Sequence, residues 1–202
     1  MKIEEKFLTP NKYSRPGIKL EKVTKIAVHY VGNPGSTAIA NRNYFENQKN
    51  GGRYVSSHYI IGLEGEIIQC IPLTEWSYCT NQANGYSISI ECCHPDASGK
   101  FNEATEQSLV ELCAYLCKRY NLTSDDIIRH YDVTGKLCPL WYVKHPESFL
   151  AFKKRVAVEL TKDSDDGKTY YVQVGAFKSK ANAEKYLEGV KKDYPNAFIK
   201  TM

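Results

Sequence analysis

The chain has 202 residues, of which 42% are hydrophobic and 25% are charged, as in ordinary soluble globular proteins. This length allows one well-buried domain and a small appendage. No apolar run approaches the length of a membrane-spanning helix, so we expect no insertion into a membrane. The net charge of +4 comes entirely from residues 168–202, which hold seven lysines and three acidic residues. Such a tail indicates either an anionic partner or simply a solvated surface, and we expect no nucleic-acid partner.

The seven cysteines do not indicate a disulfide framework. Their number is odd, and residues 1–6 (MKIEEK) lack the apolar run of a secretory signal. We therefore expect synthesis in the cytoplasm without a signal peptide. Cys113 and Cys117 lie one helical turn apart, but there is no second pair at zinc-finger spacing, so we interpret them as packing residues.

The first half of the chain predicts strands separated by one helix. Residues 1–19 are polar and are interpreted as an extended lead-in. Residues 23–30 form the first strong strand pattern, with His29 at its end. A helix over residues 36–48 follows, and residues 54–71 alternate around a Glu-Gly turn, as in a β-hairpin.

The second half continues this alternation of strands and helices. Residues 87–92 predict a strand with an apolar face and a polar face, the latter carrying Glu91. Asn102 is placed to cap an amphipathic helix, residues 127–128 read as a buried strand end, and residues 146–160 predict a last helix. The fold class is therefore α/β, with a mixed central β-sheet flanked by helices.

Residues 129–139 concentrate chemically active side chains. They place His130, Lys136 and Cys138 on one short loop that leaves a strand. A neutral imidazole and a thiolate are good zinc ligands, and a site with three protein ligands leaves a fourth position open. His29, at the end of another apolar strand, is the natural third ligand. Each residue alone is more often a packed core side chain, but the three in this order predict zinc.

Five short segments in a fixed order carry a resemblance to a known family. They are Val28-His29, SSHYII at 56–61, SIEC at 89–92, RHYD at 129–132 and KLCP at 136–139. Over about residues 20–160 the set resembles the zinc-dependent N-acetylmuramoyl-L-alanine amidases, which include phage endolysins and have peptidoglycan recognition proteins as relatives. Ser77 stands after Trp76, where many members of the family have a histidine.

The resemblance implies a peptidoglycan hydrolase that cuts the amide between N-acetylmuramic acid and L-alanine of the stem peptide. It implies that His29, His130 and Cys138 bind zinc, and it gives catalytic roles to Glu91 and Lys136. A carboxylate at Glu91 fits a proton shuttle, and an ammonium at Lys136 fits an oxyanion stabiliser. A surface glutamate and a solvated lysine are the plainer interpretations.

Other polar residues receive structural interpretations. His58 is read as either a ligand or a structural histidine, and we favour the structural role because the ligand set is already complete. Asp132 follows His130 directly and is spaced to act as a hydrogen-bond partner of a ligand histidine.

Two alternative functions stay open beside the amidase. One is a peptidoglycan receptor without turnover, although relatives of that kind typically lose the cysteine ligand and Cys138 is present. The other is a zinc hydrolase that acts on a different amide. For the leading hypothesis, a phage or prophage endolysin, we expect action at the bacterial cell wall after release from the cytoplasm.

The sequence predicts three parts: a catalytic domain over residues 1–160, a polar linker over 161–168 and a small unit over 169–202. In the last part we predict a βαβ unit, with its strand, helix and strand at residues 170–174, 181–192 and 197–200. This unit resembles half of a SPOR peptidoglycan-binding domain, in which the unit normally occurs twice.

A single half-unit of this kind predicts self-association. Its sheet would have a bare edge, and its length is below the ~40 residues at which folding usually needs a disulfide, a metal or a partner chain. The tail has no cysteine or histidine. We therefore expect a homodimer through paired tails, the plainer alternative being a tail that docks on its own catalytic domain or stays disordered.

Overall fold

The computed structural model describes residues 1–162 and 173–200, and the chain divides into two units, Met1–Asp163 and Ser164–Met202. The strands of the first unit are β1 (Ile3–Glu5), β2 (Lys25–Tyr30), β3 (Tyr59–Ile61), β4 (Ile67–Gln69), β5 (Ser87–Cys92) and β6 (Ile127–Arg129). Its helices are α1 (Ala38–Asn47), α2 (Glu103–Tyr120), α3 (His130–Thr134), α4 (Leu140–Lys144) and α5 (Pro146–Thr161).

The six strands form one sheet in the order β1-β4-β3-β5-β2-β6. The hairpin partners β3 and β4 are antiparallel, while the other four neighbouring pairs are parallel. Parallel neighbours require crossover connections, and here the connections carry the helices. The predicted α/β class, a mixed sheet flanked by helices, is confirmed.

Strand register brings the carboxyl ends of three parallel strands to one place. His29 on β2 pairs with Glu91 on β5, and Val28 pairs with Arg129, the last residue of β6. His130 therefore follows β6 at the level of His29. Residues paired across a sheet point to the same face, so His29 and Glu91 are neighbours on one side.

The two faces of the sheet are covered differently. Helices α2 and α5 pack over the apolar face, which carries Ile26, Val28, Ile88 and Ile90 among other fully buried side chains. Asn102 caps α2 as predicted, because its side-chain oxygen accepts from the Thr105 N–H at 2.8 Å. Helix α1 and a smaller cluster cover part of the opposite face, and the irregular connection between β4 and β5 crosses the rest.

Three local predictions differ from the structure. The amino-terminal lead-in contains β1, whose pairing with β4 continues through the bond from the Lys6 N–H to the Gln69 carbonyl. His130 begins the short helix α3 rather than lying in a loop. Asp132 explains this helix start, because its carboxylate accepts from the Arg129 N–H at 2.8 Å. The short helix α4 is an additional element.

The second unit contains one helix, α6 (Lys180–Val190), among its described residues. Ser179 occupies the N-cap position as predicted, but its side chain makes no capping bond. Residues 197–200 were predicted to form a strand, but they form none. Of the other predicted strand, residues 173 and 174 also form none, and residues 170–172 lie outside the described residues. Residues 163–168 of the predicted linker also lie outside them.

Within residues 1–162 and 173–200, no helix combines the length and apolar character needed to cross a bilayer.

Candidate metal and catalytic site

His29, His130 and Cys138 converge at the carboxyl edge of the sheet. The Nδ1 atoms of the two histidines are 3.1 Å apart, and the Cys138 Sγ lies 3.7 Å from the His29 Nδ1. All three residues are buried, and their ligand atoms lie within 4.8 Å of one another. The structure therefore brings together the three residues that the sequence nominates as ligands.

The donor set fits a zinc ion. Zinc binds imidazole nitrogen at about 2.0–2.1 Å and thiolate sulfur at about 2.3 Å in tetrahedral geometry, which sets nitrogens about 3.3 Å apart and nitrogen and sulfur about 3.6 Å apart. The observed separations of 3.1 and 3.7 Å match these values. The Nε2 of His29 meets the Thr80 hydroxyl at 2.9 Å, so Nδ1 is the nitrogen that faces the other ligands.

Burial keeps the three candidate ligand side chains uncharged. It lowers the pKa of His29 well below its usual value, helped by His130 and Lys136, and it lowers the pKa of His130 to about 4. Neutral imidazoles keep the lone pair that a metal needs. Burial also raises the pKa of the Cys138 thiol to about 12, with Glu91 adding to the effect. A cation bound beside the two neutral imidazoles would stabilise Cys138 as the thiolate.

Glu91 lies beside the ligands on the neighbouring strand. Its Oε1 accepts from the Cys79 thiol at 3.6 Å, and its buried Oε2 has no hydrogen-bond partner among the described residues. Burial raises the pKa of Glu91 to about 8, against opposing effects of the Cys79 thiol and Lys136. A carboxyl group in this environment can take up and release a proton near neutral pH.

Lys136 occupies the exposed loop between α3 and Cys138. Its positive charge lowers the pKa of His29, His130 and Glu91, which places the ammonium group within electrostatic reach of all three. Its carbonyl accepts from the Cys138 N–H at 2.6 Å. The catalytic role expected for Lys136 stays a prediction.

The remaining sequence interpretations have mixed outcomes. His58 is structural as favoured: it accepts from the Ser89 N–H at 3.0 Å through Nδ1 and donates through Nε2 to the Glu75 carbonyl at 2.9 Å. Among the hydrogen bonds of the described residues, the Asp132 carboxylate makes none to His29 or His130 and instead pairs with the Arg129 guanidinium at 2.6 Å. That prediction is wrong, and the helix start of α3 gives its physical reason.

Sequence reasoning missed the contribution of the β4–β5 connection. Within it, Thr80 contacts His29, and the Cys79 thiol donates to Glu91. Ser77 is buried, and its hydroxyl lies 2.6 Å from that of Ser89. The serine that stands after Trp76 therefore fills a packed polar position under the site. This connection shows no hydrophobic periodicity in the sequence. Only its run of polar residues could have indicated that it contributes to the site.

Comparison with known proteins identifies the family. The family model described as N-acetylmuramoyl-L-alanine amidase matches residues 19–141. The chain belongs to the N-acetylmuramoyl-L-alanine amidase family. It is 36% identical over 174 residues to the amidase CwlL of Bacillus licheniformis and 34% identical over 176 residues to the amidase BlyA of Bacillus subtilis (strain 168). Each match covers 77% of this chain and 47% of the relative, so the chain spans about half the length of these curated relatives.

Solved structures show the same fold for this family. The structure of PlyL matches with a TM-score of 0.66 and 26% identity, covering 77% of this chain and 97% of that one. The catalytic domain of XlyA matches with a TM-score of 0.65 and 27% identity, covering 76% and 99% of the two chains. A second family model, the SPOR domain, matches residues 166–202.

Proposed function

We propose that this chain is a zinc-dependent peptidoglycan hydrolase of the amidase type. It hydrolyses the amide between the lactyl group of N-acetylmuramic acid and L-alanine of the stem peptide. The observation that carries the proposal is the buried cluster of His29, His130 and Cys138, with donor separations of 3.1 and 3.7 Å, beside an enclosed carboxyl group. The names of the amidase relatives supply the bond that is cut.

Each residue of the cluster has a distinct task in this proposal. His29, His130 and Cys138 hold the zinc, which when bound supplies Lewis-acid polarisation and an activated water at neutral pH. Glu91 accepts a proton from the attacking water and delivers it to the leaving amine of L-alanine. Its raised pKa, to about 8, suits a group that must both take and give a proton. The Lys136 ammonium stabilises negative charge on the former carbonyl oxygen.

The two alternatives differ from the amidase in their products. A receptor without turnover leaves the wall intact, and the presence of Cys138 in the buried cluster argues against it. A hydrolase of another amide releases a different amino terminus. A glycosidase is a further contrast, because it would generate new reducing sugars.

Digestion of purified bacterial walls separates these cases. Mass spectrometry of the soluble products should show stem peptides with a free L-alanine amino terminus and glycan strands whose lactyl groups carry a newly freed carboxyl group. Glu91→Gln provides the matched inactive protein. Intact walls, or peptides that begin at another residue, would refute the proposal.

The domain organisation is part of the proposal. We place the catalytic domain at residues 1–160, a linker at 161–168 and a wall-binding unit at 169–202, supported by the match of the SPOR model to residues 166–202. Lysines on and after α6 would contact anionic groups of the wall. In this role the chain acts on the bacterial cell wall as an endolysin encoded by a phage or prophage.

Dimerisation through the tail stays a prediction with a changed physical basis. The bare sheet edge expected from the sequence is not present in the described residues, because residues 173–174 and 197–200 form no strand. What supports association now is that no described residue of the second unit is buried, while Phe177, Tyr186 and Tyr194 are 45%, 47% and 69% exposed. Light scattering on the full chain and on a chain that ends at Thr161 tests it, and a monomeric full chain at tens of micromolar would refute it.

A further inference from the structure

Thr80 is a buried residue that touches the proposed zinc site. It has no exposed surface, and its hydroxyl oxygen lies 2.9 Å from the Nε2 of His29. That nitrogen is the one that faces away from the other two proposed ligands, since the Nδ1 of His29 lies 3.1 Å from His130 and 3.7 Å from Cys138. Thr80 therefore contacts the far side of a ligand ring.

The position of this hydroxyl is fixed by the backbone around it. The Asn84 side-chain oxygen accepts from the Thr80 N–H at 2.7 Å and from the Cys79 N–H at 3.1 Å. A short 3₁₀ turn, Asn81–Ala83, joins the two residues, and it starts at Asn81 with a positive φ of 49°. An amide that accepts two backbone N–H groups holds the segment rigidly, so the hydroxyl is set in place before any metal binds.

An imidazole that offers Nδ1 to a metal carries its hydrogen on Nε2. In a fully buried ring this N–H needs an acceptor, because a buried donor that is left unpaired destabilises the folded protein. We propose that Thr80 is a positioning residue for His29: its hydroxyl accepts the Nε2–H, selects the tautomer that binds metal and fixes the plane of the ring. This inference rests on the zinc site of the proposed function.

Zinc affinity is the readout that isolates this role. Competition titration of the metal-free full-length protein with a chromophoric chelator gives the dissociation constant directly. Thr80→Val keeps the shape and removes the acceptor, and it should weaken zinc binding by about 10- to 100-fold, as for other partners of ligand histidines. Thr80→Ser keeps the hydroxyl and should retain nearly the wild-type affinity.

Thr105→Val is the matched control. Thr105 is also fully buried, and its hydroxyl donates to the Gly62 carbonyl at 2.8 Å, away from the ligand histidines. The control removes the same chemical group at a similar cost in stability, so its zinc affinity should equal that of wild type. Wild-type affinity in Thr80→Val, or an equal loss in Thr105→Val, would overturn the inference.

A second measurement needs no variant and holds if Thr80→Val does not fold. Nitrogen-15 NMR of the wild-type protein loaded with zinc should show His29 coordinated through Nδ1, with a slowly exchanging Nε2–H. Coordination through Nε2 would contradict the role of Thr80 while leaving a zinc site in place. A wild-type protein that binds no zinc would instead refute the proposed site, and this inference with it.

Discussion

Opposing effects determine the pKa of Glu91. Burial favours its neutral form and raises its pKa to about 8, while the Cys79 thiol and the Lys136 charge favour the carboxylate. The unpaired Oε2 shows that its surroundings, among the described residues, do not fully compensate the carboxylate. An enclosed and incompletely paired acid of this kind is more typical of a catalytic position than of a structural one.

Replacement of this acid gives the first prediction. Glu91→Gln keeps the shape but removes the proton carrier, so turnover on cell walls should fall by a factor of about 10² to 10⁴. Zinc content should not change, because Glu91 is not one of the three proposed ligands. Glu64→Gln, in the exposed turn of the β3–β4 hairpin, serves as the control and should keep full activity. Wild-type hydrolysis by Glu91→Gln would remove Glu91 from the mechanism.

His58 gives a prediction about acid stability. Burial lowers its pKa from 6.5 to about 4, so the folded protein binds its proton less readily than the unfolded chain does. The neutral His58 therefore contributes fully to the free energy of unfolding above pH 6.5. This contribution is lost as the pH falls towards 4, and the loss amounts to about 3 kcal/mol. When the metal-free protein is unfolded with urea, the free energy of unfolding of His58→Gln should decline less over this pH range than that of the wild type. Equal declines in both proteins would show that other groups control acid unfolding.

At the scale of elements, the parallel register decides where the chemistry occurs. The sequence predicts β2, β5 and the end of β6, and their pairing sets His29, Glu91 and His130 side by side. Apolar periodicity and the ordered motifs are enough to reach that arrangement. The contacts from Thr80 and Cys79 were beyond prediction, because they come from an irregular connection whose path depends on tertiary hydrogen bonds.

The smaller elements differ from their predictions because local bonds, and not apolar periodicity, determine them. Strand β1 is short and polar at an edge of the sheet, so its sequence lacks the alternation of a half-buried strand. Helix α3 has only five residues, and it begins with the Asp132 bond to the Arg129 N–H rather than with an apolar stripe. In the tail, the absence of strands in residues 173–174 and 197–200 removes the basis on which a shared sheet was expected.

Gly135 connects α3 to the loop that carries Lys136 and Cys138. Its φ of +75° lies in the left-handed region, and a Cβ there would meet no atom within 4 Å, so an alanine would suffer backbone strain without a clash. Gly135→Ala should lower the free energy of unfolding by about 1–2 kcal/mol and weaken zinc binding, because the strain is relieved by moving the loop.

Gly17→Ala is the matched control for this change. Gly17 has a φ of +68° and equally open surroundings, but it lies in the amino-terminal segment. Chemical denaturation should show a similar loss of stability, while the zinc dissociation constant should be unchanged. Equal zinc affinities in both variants would show that the Gly135 turn does not position Cys138.

In the proposed function, the two units of the chain separate catalysis from wall attachment. The family model for the amidase ends at residue 141 and the SPOR model begins at residue 166, and the chain divides into units at residue 163. The tail holds the entire +4 net charge, through seven lysines and three acidic residues after residue 167. A separate cationic unit of this kind would raise the local concentration of the catalytic unit at an anionic wall.

A chain that ends at Thr161 tests this division. Its hydrolysis of a small soluble muramoyl peptide should match that of the full chain, because the site lies within the first unit. Its binding to purified walls in a sedimentation assay should be weaker, and added salt should weaken the binding of the full chain. Equal sedimentation of both proteins would locate wall attachment in the catalytic unit.

The central claim is that a zinc ion held by His29, His130 and Cys138 is required for amide hydrolysis. Metal analysis of the purified protein, with hydrolysis measured on the same samples, tests it most directly. We expect one zinc per chain in the wild type, and loss of both zinc and turnover in Cys138→Ser. A metal-free wild-type protein that hydrolyses cell walls at the full rate would contradict it.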